Sequence, residues 1–501
     1  MNAPVEPFLA LRGFGLAHRS GSSGPHLLRD VTLTLPRGGF FLLCGTSGGG
    51  KSSLLRLLAG LVEAREVEPR VEGRIQLLGA DLAGPYPHAL RSRVAAVLQD
   101  EGLFDELTPR QNVELALRTA GRSAQLAVGF LAQAGLDPVP PSCDVLSGGM
   151  RKRLAVARAL ATEPEVLLCD EPTSGLDPTA ARSVAQLLRD AHDRRAGCST
   201  LVVTHDHDAF AGLHDGTLWL DGNRRSLELL PPGAALPTRA AAPRTAAPTE
   251  PPDDALQHGR NLLLQCAALL EAVQDSLFRI APREPGLALR SVAQHALAAA
   301  PFTALGGAVV GGLAAWFALR NNPVEGAFSG AVLGGTGKVL VAVLLPLLAG
   351  LFFVARMAAG NAARLGAMVR TRQVDALRVL GLHPADRLLV PMVWGMTAAL
   401  PVVTGVALVS GSLAAWFAAR LALGLSFEGW IRHFTSQLAG SDLQAVLATS
   451  LVSGWLVAVS TWFLASGPKP STRSVGDAVN AAIVTGMGLV LLVHGIATLR
   501  Y

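Results

Sequence analysis

Hydrophobic and polar positions divide the chain into two halves. Up to about residue 255, short apolar runs alternate with turns and with Leu- and Ala-rich stretches of helical spacing. VTLTL (31–35), FFLLC (40–44) and RIQLLG (74–79) suit one mixed sheet packed around a helix that begins near Lys51. After residue 295 the pattern changes to uncharged apolar stretches at Ala296–Leu319, Val339–Ala355, Leu388–Ala419, Leu443–Gly467 and Ala478–Leu499. Crossing a bilayer takes about 20 apolar residues, so five spans are expected. The second is short unless Lys338 snorkels or its helix begins near Ala327; the third is overlong and holds Pro391 and Pro401, which predicts a kink or tilt. Between the halves, residues 231–255 are rich in Pro, Ala and Thr and read as a tether. Asn261–Ile280 has apolar residues at helical spacing with a polar minority face, the pattern of a helix lying along the inner membrane surface.

Composition agrees with spans. A mean hydropathy of +0.37 with 16% charged residues is too apolar for a soluble chain of 501 residues. The net charge of +5 is modest, and the arginines sit beside apolar runs, which suits a cytoplasmic membrane face rather than a nucleic-acid groove. The loop after the second span carries Arg356, Arg364, Arg370, Arg372, Arg378 and Arg387 against Asp375 and Asp386, an excess that predicts a cytoplasmic location. The N-terminal half is then cytoplasmic and Tyr501 faces outward. Within that loop, TRQVDALRVLGLHPADRLLVP is helical in pattern up to Gly381 and breaks at His383–Pro384, a short amphipathic helix suited to a groove of the N-terminal half. All five cysteines (44, 143, 169, 198, 266) precede the first span without metal-like spacing and read as reduced thiols. The opening MNAPVEPFLALRG has no signal-peptide pattern, and no internal repeat is expected.

The chemistry begins at FLLCGTSGGGKSSLLRLLAG (41–60), an apolar strand, a glycine-dense turn and a helical run. Gly45–Ser52 fits G-x-x-x-x-G-K-S, a phosphate-binding loop. Glycines at 45, 48, 49 and 50 let backbone N–H groups close around phosphate oxygens, and the following helix turns its positive end on the same anion. Lys51 would reach the β- and γ-phosphates and the Ser52 hydroxyl would ligate Mg²⁺. LSGGMRKR (146–153) opens a second helix with two glycines and a serine, another anion-binding geometry. In EVLLCDEP (165–172) a buried strand delivers Asp170 and Glu171 to its carboxyl end, Asp170 to hold Mg²⁺ through water and Glu171 to polarise an attacking water. SGLDP (174–178) follows, and the strand LVVTHD ends on His205.

This ordered series resembles the ATP-binding cassette (ABC) ATPases over roughly residues 8–235. The resemblance implies a Walker A loop of Gly45, Thr46, Ser47, Gly48, Gly49, Gly50, Lys51, Ser52 and Ser53. It makes Gln99 a Q-loop residue sensing Mg²⁺ and the membrane domain, and His205 the switch histidine. Ser147, Gly148 and Gly149 become the signature that caps the γ-phosphate of ATP on another subunit, Asp170 and Glu171 the Walker B pair, and Asp177 a D-loop residue. Two positions depart from the pattern: Met150 stands where the signature has glutamine, as in the lipid-asymmetry ATPases, and the adenine-stacking aromatic is replaced near His18. One Walker A and one signature per chain imply a homodimer with two ATPs between subunits.

ARMAAGNAARLGAMVRTRQVDALRVLGLHPADRLLVP (355–391) and SVGDAVNAAIVTGMGLVLLVHGIATLRY (474–501) resemble the MlaE/YrbE permeases of maintenance-of-lipid-asymmetry (Mla) transporters. That resemblance implies an interfacial helix with five transmembrane helices, phospholipid cargo, an extracytoplasmic MCE-domain ring and often a STAS-domain partner. The family's Arg-Glu-Leu-Gly-Pro run is VLLPLLAG (343–350) here, and family glutamates of the loop correspond to Arg364 and Arg372. The expected architecture is an α/β P-loop ABC ATPase domain (1–235), a linker (236–255), an interfacial amphipathic helix region (256–295) and an all-α membrane domain (296–501). The expected function is ATP-driven phospholipid movement between the inner membrane and an MCE-type carrier. The rivals are an ABC exporter of a hydrophobic peptide or drug and a non-transport ABC ATPase, against which the spans argue.

Overall fold

The computed structural model describes residues 7–17, 26–46, 48–62, 70–82, 84–234, 236–237, 255–279, 285–320, 329–469 and 471–499. Ser47, His18, Ala327, Tyr501 and most of the tether therefore lie outside the described residues. The chain forms two compact units, Met1–Pro252 with Thr371–His383, and Asp253–Arg370 with Pro384–Tyr501.

The strands of the first unit are β1 (Pro7–Ala17), β2 (His26–Pro36), β3 (Phe40–Gly45), β4 (Arg70–Leu77), β5 (Ala80–Asp81), β6 (Val94–Val97), β7 (Val166–Asp170), β8 (Ser199–Val203), β9 (Gly216–Asp221) and β10 (Ser226–Leu230). They build two sheets rather than the single mixed sheet expected from the sequence: β2-β1-β4-β5, antiparallel, and β10-β9-β3-β8-β7-β6. The reason lies at β3. Its two edges are taken in parallel register by β8 and β9, so that Leu42 sits beside Val202 and Thr217, and neither VTLTL nor RIQLLG can pair with it. Those two segments instead flank β1, whose Leu9 lies opposite both Leu35 and Leu77.

In the six-stranded sheet, Leu43, Val203 and Asp170 stand in one row. The residues just beyond them therefore emerge together at the carboxyl edge, where ligands sit in α/β sheets. The helices are α1 (Lys51–Leu58), α2 (His88–Arg91), α3 (Pro109–Thr119), α4 (Ala127–Gln133), α5 (Gly148–Leu160) and α6 (Pro178–Asp193). Phe40, Val97, Leu154, Val184, Leu188 and Phe210 belong to one buried cluster that ties β3, α5 and α6 into a single core. Each such side chain contributes roughly 1.5–3 kcal/mol by leaving water.

The second unit begins with α7 (Ala255–Phe278) and, among the described residues, has five helices long and apolar enough to cross a membrane: Pro285–Arg320, Gly330–Arg370, Ala385–Leu423, Gly440–Ser466 and Thr472–Thr498. The second is far longer than the apolar stretch Val339–Ala355. It contains two π-helical segments, Leu340–Leu344 and Val354–Ala358, and continues through Arg356 and Arg364 to Arg370. Those three arginines thus lie on helix rather than in the loop expected from the sequence, because the alanines, Met357 and Leu365 between them, like arginine itself, are good helix formers that keep the helix going after the apolar run stops.

The first and third of these helices run parallel and touch through backbone: a Cβ on Gly311 would lie 2.2 Å from the Gly411 carbonyl oxygen, and one on Gly307 would lie 2.8 Å from that of Ala407. They also carry nearly the same decapeptide, GGLAAWFALR (311–320) and GSLAAWFAAR (411–420), each closing with its arginine over its tryptophan at 5.7 Å. This corrects the expectation of no internal repeat. An amphipathic helix, Phe427–Phe434, lies between the third and fourth and buries Trp430 and Phe434. The α7 segment is held inside its own unit by Arg279, which pairs with Asp275 at 2.9 Å and Asp386 at 3.0 Å, and by Trp455, whose indole N–H donates to Ser276 Oγ at 3.3 Å.

Candidate nucleotide site

Gly45 ends β3 with φ at +144°, and a side chain there would put Cβ 2.1 Å from the carbonyl oxygen of Leu220 on β9. Only glycine fits. The loop beyond is tied across the sheet edge by Thr46, whose hydroxyl accepts from the Gly222 N–H at 3.2 Å. Gly50, with φ at +99°, caps α1. Lys51 on its first turn is buried, and its ammonium donates to the carbonyls of Gly45 at 3.0 Å and Thr46 at 2.9 Å. A buried cation at the mouth of a glycine-lined loop and a helix N-terminus is a site for an anion, and for a polyphosphate above all.

Ser52 faces β7. Its hydroxyl donates to Asp170 Oδ1 at 3.3 Å, and burial holds the Asp170 carboxyl above the ordinary carboxylate range. A hydroxyl and a carboxylate, both hard oxygen donors, meet where phosphate oxygens would arrive, so the residues present fit Mg²⁺. Glu171 follows with φ at +48°, a backbone region that costs a non-glycine residue about 1–3 kcal/mol. The Glu171 N–H donates to the Val203 carbonyl at 2.9 Å, and its carboxylate lies 3.1 Å from His205 Nε2. The strained backbone and the histidine together fix the direction of this carboxylate. Ser53 lies one residue further along α1.

Ser147 caps α5, its hydroxyl accepting from the Met150 N–H at 3.3 Å, and Asp177 caps α6, accepting from the N–H groups of Thr179 and Ala180 at 3.0 Å. The two caps are neighbours. A Cβ on Gly148 would lie 3.7 Å from Leu176, and one on Gly149 3.9 Å from Ala180. Within one chain, then, Lys51, Ser52, Asp170, Glu171 and His205 converge along one sheet edge, while Ser147–Gly149 join Asp177 at the starts of α5 and α6.

Gln99 follows β6 with its side chain exposed, and the segment after it is gripped by residues that sequence reasoning passed over. Lys152 of α5 is buried; its ammonium donates to the Gln99 carbonyl and pairs with Glu101 at 3.1 Å. Arg158 is buried too, donating to the carbonyls of Gly102 at 2.6 Å and Glu101 at 2.9 Å with its guanidinium over the Phe104 ring. Burial brings the Arg158 pKa down to about 10, which leaves it charged at neutral pH. A charge inside the otherwise apolar run LAVARALA was the signal available in the sequence.

Against the other side of this segment lies the helix Gln373–Val379. A Cβ on Gly102 would stand 2.9 Å from both the Ala376 Cβ and the Arg372 carbonyl oxygen. Gln373 Nε2 donates to Asp105 Oδ2 at 3.0 Å. Ala376, Val379 and Leu380 cover a cavity of about 110 Å³ floored by β6 and Arg158.

Residues 28–174 match the ABC transporter family model, and residues 288–499 match that of Permease MlaE. The chain is 37% identical over 196 residues to the methionine import ATP-binding protein MetN of Vibrio cholerae serotype O1, covering 38% of this chain and 55% of that protein. Identity to the MetN of Streptomyces coelicolor is also 37%, over 226 residues, 42% of this chain and 62% of the relative. The chain spans about half the length of the curated relatives it matches first. A solved dimeric ATP-binding cassette, in a post-hydrolysis state with ADP and phosphate, is 26% identical and covers 45% of this chain and 100% of its own, with a TM-score of 0.40. Two domain families meet in one polypeptide: an ABC transporter ATPase domain is fused to an MlaE permease domain.

Proposed function

We propose that the chain is one half of a homodimeric, ATP-driven transporter that moves phospholipid between the inner membrane and an extracytoplasmic MCE-type carrier. The observation that carries this reading is the seating of Gln373–Val379. This helix belongs in sequence to the connection between the second and third apolar helices, yet it packs on the ATPase unit against Gly102 and Asp105. Work done around the nucleotide has a direct covalent route into two spans.

In this reading the Gly45–Gly50 loop and Lys51 bind the phosphates. Ser52, Asp170 and Gln99 would hold Mg²⁺, which would supply charge neutralisation at the phosphate oxygens. Glu171 takes a proton from the attacking water as its oxygen bonds to the γ-phosphorus and the bond to ADP breaks. His205 holds Glu171 in position. Ser147, Gly148, Gly149 and Asp177 act on the nucleotide of the second copy, which is why the unit is a dimer.

The arginine excess beside the second and third spans supports a cytoplasmic ATPase and an inner-membrane location. Phospholipid is favoured as cargo because the spans carry few ionisable side chains, Lys338 and His494 among them, and because of the match to Permease MlaE. A STAS-domain protein is a further partner of this kind of assembly, and no nucleic acid takes part.

The test is reconstitution of the purified chain in liposomes containing a fluorescent phospholipid, with an MCE-domain protein as acceptor. The expected result is ATP hydrolysis that responds to phospholipid and ATP-dependent transfer to or from the acceptor. Stimulation by a hydrophobic peptide or drug, with no effect of phospholipid, would replace this reading with the exporter.

A further inference from the structure

We infer that Asp105 is the joint through which the signature helix moves the helix Gln373–Val379, a positioning role for a residue outside the nucleotide motifs. Its carboxylate is divided between the two elements. Oδ1 accepts from Arg151 Nη2 of α5 at 2.9 Å, and Oδ2 accepts from Gln373 Nε2 at 3.0 Å. One small rigid group therefore bridges the helix that starts at Ser147–Gly149 and the helix between the spans. A displacement of either helix must carry the carboxylate along or break one of its two bonds.

The surroundings make carrying it along the easier outcome. The backbone of residues 99–102 is bolted to α5 by Lys152 and Arg158, with Glu101 in the left-handed region at φ +54°. Residues 99–105 thus travel with α5. On the far side, Gly102 lies flush against Ala376 and the Arg372 carbonyl. Gln373 is buried, while Arg372 and Arg378 brace the neighbouring Asp375 at 3.2 and 3.8 Å. The Asp105–Arg151 pair is half-exposed, and exposed ion pairs add little to stability. Its value is therefore in transmitting position, not in holding the fold.

The inference rests on the proposed reading that nucleotide events drive the spans, and its test reads that step apart from the cargo. Full-length chain in nanodiscs is trapped with ADP and vanadate, and hydrogen exchange is followed over residues 384–423, the span that continues from the short helix. ATP hydrolysis and phospholipid transfer are measured on the same samples. Asp105→Ala is expected to keep hydrolysis near the parent rate, to lose the nucleotide-dependent exchange change, and to lower transfer per ATP by about 5- to 150-fold, the range of typical site-to-site couplings.

Gln373→Ala, which cuts only one arm of the bridge, should show the same defect, and Asp105→Ala/Gln373→Ala should be no worse than either alone. Parent-like exchange changes in Asp105→Ala, additive defects in the double variant, or loss of hydrolysis along with coupling would each overturn the joint. If the parent chain shows the exchange change but moves no phospholipid, the cargo assignment fails and the joint is still judged on exchange.

Discussion

Glutamine in place of Glu171 is expected to lower ATP turnover by about 10²–10⁴-fold, the usual worth of a positioned general base. The substitution keeps the size of the side chain and its hydrogen bond with His205, now 3.1 Å away, but removes the ability to take a proton from water. The phosphate loop, Lys51 and the Ser52–Asp170 pair are untouched, so nucleotide affinity should survive. Saturating ATP should then protect the variant against thermal unfolding as a stable ligand does, by about 2.7 kcal/mol at a hundredfold excess over Kd. Phosphate release and thermal shift on the same preparation check both halves. Turnover near that of the parent chain would remove Glu171 from the reaction.

Lys51→Ala and Gly148→Asp should each abolish hydrolysis alone and restore part of it when mixed. Lys51 and Gly148 lie in different clusters of one chain, and in the proposed dimer each pocket takes its phosphate loop from one copy and its signature from the other. A mixed dimer therefore has one intact pocket. Gly148→Asp is chosen because it separates loss of function from loss of fold. A Cβ at this position makes only ordinary van der Waals contact, with Leu176 at 3.7 Å, and a carboxylate in the first turn of α5 favours the helix. The same negative charge opposes an arriving phosphate. Co-expression with two affinity tags isolates the mixed dimer. Its ATPase rate should stand clearly above that of either parent variant, and a rate no higher than theirs would contradict shared pockets.

What could be read from sequence follows how local the determinant is. Gly45, Lys51, Ser52, Asp170, Glu171 and His205 were legible because each is defined by a strand end or helix start that its own neighbours specify. Their meeting at one edge follows from the register of β3, β8 and β7. The division into two sheets was not legible. It depends on which distant strands occupy the edges of β3, and apolar alternation does not encode a partner.

Nothing in LSGGMRKR sets Lys152 apart from the arginines beside it; the packing of residues 99–102 against α5 is what buries it. The groove-seated helix was legible as an amphipathic segment between spans, but Asp105, which grips it, sits in a polar loop with no periodicity. Hydropathy located the spans and missed their π-helical segments, since composition does not record whether an amide bonds four or five residues back.

In the proposed function, nucleotide chemistry in the first unit reaches the spans through residues 371–383. Ala376→Arg tests it most directly: Ala376 is buried against Gly102 and shares a small cavity with the buried Arg158, so a second guanidinium there meets both crowding and like charge and lifts the helix from its seat. ATP hydrolysis and phospholipid transfer would be followed together in one proteoliposome sample. The account predicts that hydrolysis continues while transfer falls to the level seen without ATP; transfer at the parent rate with this helix displaced would contradict it.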